Sequence, residues 1–198
     1  MNARPDNPSG TAPFITGWFV SLQPYDPRDA LMYIQWLNDP TCRHYARHVF
    51  PQSLESQKKW VAEQITYSQK ADAIGFGIWL TGEQRLIGSV GLFGIDYASR
   101  NCWMGLVIGE QACWGKGYAT DAGALILDYA FAELGLHKVI VGIYSPNKGS
   151  QGVARKLGFK LAGTSKEEVF IDGRFVDGLV FELLESGWRV ARPGRPGA

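Results

Sequence analysis

The stretch CWMGLVIGEQACWGKGYATDAGALILDYAF, residues 102–131, restricts the fold more than any other part of the chain. Its first eight residues, CWMGLVIG, are apolar, aromatic or β-branched and predict a strand. From Tyr118 onward, Ala122, Leu125, Ile126, Tyr129 and Ala130 recur at steps of three, one, three and one, which puts them on one face of a helix. Gly135 then stops that helix in the usual C-terminal position. Between strand and helix stand Gly115, Lys116 and Gly117. A helix gains nothing from these glycines, each of which costs about 1 kcal/mol relative to alanine in a helix interior. A strand, a glycine turn and a helix N-terminus do make an anion site, because successive amides point outward and the helix dipole favours negative charge. Lys116 sits between the glycines and no GK[ST] follows, so this is not a Walker loop. Thr120 stands where the dinucleotide fingerprint has its third glycine, which excludes that motif too.

The rest of the chain supplies the sheet around this unit. FITGWFVSLQPY, residues 14–25, predicts a first strand. DPRDALMYIQWLND predicts a helix, with Asp26 as N-cap, Pro27 in the first turn and Leu31, Ile34 and Leu37 at helical spacing. SLESQKKWVAEQITYSQ predicts a second helix, with Ser53 as N-cap and Glu55 in the first turn. GFGIWLT, RLIGSVGLFGI and CWMGLVIG are then joined by the short loops GEQ and DYASRN and predict antiparallel pairing. KVIVGIY is apolar on both faces and predicts a strand in mid-sheet. NKGSQGVARKLGF predicts a short helix, and LAGTSKEEVFIDGRFVDGLVFELLE two strands with a hairpin at IDGR. The order β-α-α-β-β-β-α-β-α-β-β makes an α/β (α+β) domain around a mixed sheet.

Composition narrows the function classes. A chain of 198 residues that is 45% hydrophobic and 20% charged suits one domain, placed at 14–188, with flexible tails at 1–13 and 189–198. A net charge of +1 gives no electrostatic case for nucleic acid as a partner. VIVGIY is too short to span a bilayer, so no membrane partner is expected. Cys42, Cys102 and Cys113 form no CxxC pair and read as free thiols of a cytoplasmic protein. His44 and His48 share a spacing that can bind metal on a helix, but no third ligand stands at a suitable distance in sequence, so no metal is expected.

WGKGYATDA and, about thirty residues later, NKGSQGVARKLGF together resemble the GNAT superfamily of N-acetyltransferases, and within it the RimJ/RimL-type branch. The resemblance runs from Trp18 to Leu184. It departs from the family's [QR]-x-x-G-x-[GA] turn at one place, where Ala112 stands for Gln or Arg. The resemblance implies a mostly antiparallel sheet with helices on both faces and two splayed strands that hold acetyl-CoA. It puts the pyrophosphate on the turn formed by Gly115, Lys116, Gly117, Tyr118, Ala119 and Thr120. It pairs the pantetheine with Leu106, Val107 and Ile108, beside a strand bulge that frees one N–H for the thioester carbonyl. Many relatives carry a tyrosine as acid for the leaving thiolate, but Ala154 stands there in this chain. Ser150, with Asn147 one turn earlier, is the replacement candidate, and Tyr144 is a second. Asn147 is also a cofactor contact by resemblance. Asp96 and Glu110 are weak candidates for a base. The segment CRHYARHVF borders the acceptor pocket in the family, which makes Arg43, Tyr45 and His48 acceptor candidates, against the plainer reading of a solvated loop.

The implied activity is transfer of an acetyl group from acetyl-CoA to a primary amine, on a peptide N-terminus or a small molecule. Direct attack by the amine needs no nucleophilic side chain, in keeping with the absence of a convincing Ser-His-Asp set. The competing reading is an acetyl-CoA-binding sensor without turnover. A homodimer is compatible with either.

Overall fold

The three runs joined by short loops form the middle of one eight-stranded sheet. The structure is a computed structural model that describes residues 13–46, 50–67 and 72–192. Its elements in chain order are β1 (Ile15–Thr16), β2 (Val20–Pro24), α1 (Ala30–Asn38), α2 (Pro40–Ala46), α3 (Leu54–Tyr67), β3 (Ala73–Leu80), β4 (Arg85–Asp96), β5 (Asn101–Ile108), α4 (Tyr118–Asp128), β6 (Lys138–Tyr144), α5 (Lys148–Lys156), β7 (Lys160–Ile171), β8 (Arg174–Leu184) and α6 (Glu185–Ala191). The sheet order is β1-β2-β3-β4-β5-β6-β8-β7, and only the β5–β6 pair is parallel among the described strands.

Neighbouring residues of a strand point to opposite faces, and two cores result. Ile78 and Ile87 join α4 and α5 through Ile126, Leu127 and Ala154, with Leu157 just past α5, on one face. Trp79 and Leu86, their neighbours in β3 and β4, join α1 and α3 through Tyr33, Trp36 and Val61 on the other. Helices therefore cover both faces, as the resemblance implies. No described helix is long and apolar enough to cross a membrane.

Three elements differ from the sequence reading. Residues 14–25 do not form one strand, because β1 folds back on β2 with Ile15 opposite Leu22. The reversal is held from a distance: the Asp121 carboxylate accepts from the amides of Phe19 and Val20 at 2.8 and 3.1 Å. Residues 40–46 form α2 rather than a solvated loop, since the Asp39 carboxylate caps it by accepting from Thr41 and Cys42 at 2.9 Å each. Helix α6 crosses residue 188, where the sequence reading ends the domain. Trp188 is buried, and its indole N–H donates to Asp128 at 2.9 Å. Arg192 pairs with the same carboxylate at 2.6 Å. Residues 1–12 and 193–198 lie outside the described chain.

Candidate active site

β5 and β6 pair over three residues only, Asn101–Trp103 with Lys138–Ile140. Beyond Trp103 the ladder between them stops, although β5 stays paired to β4 as far as Ile108 and β6 stays paired to β8 as far as Tyr144. Two facing backbone edges thus diverge, with Leu106, Val107 and Ile108 on one and Val141 to Tyr144 on the other. The Trp103 ring lies at the vertex, since a Cβ built on Gly142 would be 3.7 Å from it. Backbone edges without a partner strand are an unmet hydrogen-bonding demand. An extended chain carrying amides would satisfy it.

The bulge expected beside Leu106–Ile108 lies just past that run, where the amides of Gly109 and Glu110 both donate to the Ile87 carbonyl, at 2.9 and 3.2 Å. Within the ladder the β4–β5 register runs unbroken from Gly88–Ile108 to Phe93–Trp103 and shifts again between Phe93 and Asp96, at the closed end of the pair. At the closed end the irregularity is local, supplied by Gly94 with φ +59°.

At the open end, β5 runs into the glycine turn. Gly115 and Gly117 have φ of +74° and +87°, values that L side chains rarely adopt. A Cβ at either would have no protein atom within 4 Å. The glycines are therefore required by backbone conformation, and the space beside them is open. Gly117 is the N-cap of α4 and has no side-chain cap. The first intrahelical bond is donated by Asp121 to the Gly117 carbonyl at 3.0 Å. That leaves the amides of Tyr118, Ala119 and Thr120 without acceptors inside the helix. The turn is tied to the strand by Trp114, whose indole N–H donates to the Ile108 carbonyl at 2.7 Å. Lys116 is exposed. Free amides, a helix N-terminus and open space fit a pyrophosphate, and the diverging edges fit the amide-bearing arm that leads to a thioester.

The second helix N-terminus at this end belongs to α5. Asn147 caps it, with Oδ1 accepting from the Ser150 amide at 3.1 Å. Ser150 is half-buried at the third helical position, and its hydroxyl makes no hydrogen bond among the described residues. Ala154 is turned into the core. Tyr144, at the end of β6, lies on the other face of the sheet against Val169, Ile171 and Val176, with Tyr45 of α2 packed on the same cluster.

Helix α2 is clamped at both ends of this wall. Cys42 Sγ donates to the Gly109 carbonyl at 3.0 Å, and the Gln111 side-chain amide donates to Asp39 at 3.0 Å. On the opposite side, His44 approaches Asp172 of the β7–β8 hairpin at 3.4 Å. Tyr45 thereby stands between the end of β5 and the hairpin, near the mouth of the cleft. Arg43 is half-buried on the same helix. His48 lies outside the described residues.

The two carboxylates singled out in the sequence are engaged elsewhere. Asp96 accepts from the amides of Ala98 and Ser99 at 2.8 and 2.9 Å, and the Ser99 hydrogen bonds hold its carboxyl below the usual range. It ends β4, opposite Asn101 at the far end of β5, about 20 Å from Val107 along the strand. Glu110 faces Arg85 at 3.7 Å.

The residue that sequence reasoning missed is Glu168. The β7–β8 register breaks between Ser165 and Val169, so Lys166, Glu167 and Glu168 form a bulge. The bulge turns the Glu168 carboxylate back over Gly178, where an added Cβ would overlap it. Gly178 lies directly across from Tyr144 in the sheet. On its strand it shares a face with Val176, so Glu168 and Tyr144 meet on the same wall. The signal was weak: a glycine two residues from Val176 marks a close approach, but nothing local says by what.

The comparisons with known proteins agree with this geometry. Residues 20–160 match the family model described as an acetyltransferase (GNAT) domain. The protein named Probable N-acetyltransferase YjcK of Bacillus subtilis (strain 168) is 36% identical over 133 residues, 67% of this chain and 73% of that protein. The [Ribosomal protein uS5]-alanine N-acetyltransferase of Escherichia coli (strain K12) is 25% identical over 150 residues, 75% of this chain and 73% of that one. Among solved structures, the spermidine N-acetyltransferase from Vibrio cholerae in complex with CoA and spermine superposes with a TM-score of 0.77 at 24% identity, covering 86% of this chain and 98% of that one. The parted strands, the uncapped glycine turn and the family match over most of the sheet lead to one assignment: the chain belongs to the GNAT family and is an N-acetyltransferase.

Proposed function

We infer that this enzyme acetylates a single uncrowded primary amine, such as a peptide N-terminus, using acetyl-CoA, and that Glu168 and Ser150 handle the protons. The observation that carries the reading is the Glu168 carboxylate lying over Gly178, across from Tyr144 at the mouth of the parted strands. Acetyl-CoA, when bound, supplies an activated thioester carbonyl. The amides from Gly115 to Thr120 and the exposed Lys116 suit its pyrophosphate, and the edge at Leu106, Val107 and Ile108, where the Ile108 carbonyl is already taken by Trp114, suits its pantetheine arm.

The acceptor arrives as an ammonium ion, which has no lone pair. Glu168 takes one proton from it, and the neutral nitrogen then forms the new C–N bond. Ser150 gives its hydroxyl proton to the departing sulfur and regains one from the nitrogen through solvent. The sum is amide, thiol and one proton released. Asn147 holds Ser150 in place through the helix cap. Tyr45 and Arg43 of α2 line the acceptor side. A polyamine would want several carboxylates. On the wall around Tyr144, Asp177 is paired with Lys166 and Asp172 lies against His44, and Glu168 is the carboxylate turned over Gly178. That favours a singly charged amine.

The test is an acetylation panel with mass detection. It holds short peptides beginning with alanine, serine or methionine, together with spermidine and an aminoglycoside. Turnover of a peptide N-terminus above spermidine supports the reading. Preference for spermidine overturns the acceptor assignment. Binding of acetyl-CoA with no turnover of any amine favours the sensor instead.

A further inference from the structure

The bulge that aims Glu168 is held from the neighbouring strand. Asp177 of β8 accepts from the Glu167 amide at 3.1 Å through one carboxylate oxygen. Its other oxygen accepts from the Lys166 ammonium at 2.8 Å. Glu167 has φ +50°, a left-handed conformation that costs a non-glycine residue stability. Something must offset that cost, and the bond to Asp177 is made by the very amide that the conformation turns inward. The backbone carbonyl of Asp177 also accepts from Ser145 at 2.8 Å, on the connection that leads into the Asn147 cap and Ser150. One residue therefore ties the Glu168 bulge to the start of α5.

We propose that Asp177 is a positioning residue, which aims the Glu168 carboxylate at the acceptor amine by fixing the bulge of β7. The inference rests on the proton role given to Glu168 above. Of the two side-chain bonds, the one to the Glu167 amide carries the effect. The Lys166 pair is exposed, and such pairs contribute little. Asparagine can still accept from the amide through Oδ1, whereas alanine cannot.

The experiment is a double-mutant cycle on the full chain, with the fastest peptide of the panel as acceptor probe. Asp177→Ala should lower kcat/KM for the acceptor about ten- to a hundredfold, as a misplaced reacting group does. Asp177→Asn should stay near wild type. The thermal shift given by acetyl-CoA should be unchanged in both. In a Glu168→Gln background, Asp177→Ala should add almost nothing, because the group it positions is already lost. Additive losses, or an asparagine variant as slow as the alanine one, overturn the proposal. Should Asp177→Ala fail to fold, Asp177→Ser, too short to reach Glu167, takes its place in the cycle. A Glu168→Gln enzyme that keeps full activity refutes the role of Glu168 itself, which is a different failure.

Discussion

The glycine turn offers the sharpest quantitative test. Acetyl-CoA at about a hundred times its Kd stabilises the native state by about 2.7 kcal/mol. For a domain of this size, that raises Tm by about 5–11 °C. Gly117→Val acts twice. It forces a β-branched residue to φ +87°, which costs about 1–2 kcal/mol or more and lowers the Tm of the free protein by several degrees. It also fills the space beside the amides of Tyr118 to Thr120. Each charge-assisted bond lost there is worth about 1.5–3 kcal/mol, so losing two weakens binding at least about a hundredfold. At the same ligand concentration the stabilisation then falls to about 0.4 kcal/mol, or about 1 °C. Gly135→Val is the matched control. Gly135 has φ +64° and no protein atom within 4 Å of an added Cβ, but it follows the π-helical turn Tyr129–Glu133 that continues α4 rather than preceding α4. It should lower Tm similarly and keep the full ligand shift. The assay is differential scanning fluorimetry with and without acetyl-CoA. A Gly117→Val protein that keeps its shift, or a Gly135→Val protein that loses it, refutes the assignment of the turn as the anion site.

Three further outcomes are expected. Ser150→Ala should lower kcat about a hundredfold with little change in acetyl-CoA affinity, and Ser150→Cys should recover part of the rate; steady-state kinetics near the wild-type value would return the proton to Tyr144 or water. Gly178→Ala should displace the Glu168 carboxylate, the end of a flexible side chain, so Tm should barely change while acceptor turnover drops; equal activity would remove Glu168 from the reaction. The fold should also weaken in alkali, because burial pushes the Tyr25 hydroxyl from 10.0 to about 12 and the Cys102 thiol from 9.0 to about 12. Both groups are held neutral by the fold, so their contribution is complete below the unfolded values and is lost as pH rises towards 12. For Tyr25 this amounts to about 3 kcal/mol, and Tyr25→Phe should flatten the fall in Tm followed by near-UV circular dichroism between pH 9 and about 12.

Sequence reasoning reached the parts of this protein that are governed by local rules. The glycines at 115 and 117 were legible because a left-handed turn before a helix admits little else. The α4 face was legible because helical periodicity repeats within a few residues, and Ala122, Ile126 and Ala130 are indeed fully buried. Pairing of β3, β4 and β5 followed from short loops, which leave antiparallel neighbours as the natural outcome. The splay of β5 from β6 was reached only through family resemblance. Nothing in CWMGLVIG or KVIVGIY says that their ladder stops at Trp103 and Ile140.

Contacts between distant residues decided the rest. Asp121 breaks the first strand from about a hundred positions away, and Trp188 extends the domain past its expected end by donating to Asp128. Asp39 makes a helix of residues that read as a loop. Glu168 is the plainest case. In sequence it is one charge among Lys166, Glu167 and Glu168, inside a run that reads as a plain strand. Its direction depends on a bulge whose amide is bound by Asp177 and on a glycine at 178 that leaves room for it. A strand's side chains alternate by rule, so the sequence determines which face a residue takes until the register slips. Where it slips is settled by a partner on the next strand, and that partner is known only once the chain has folded.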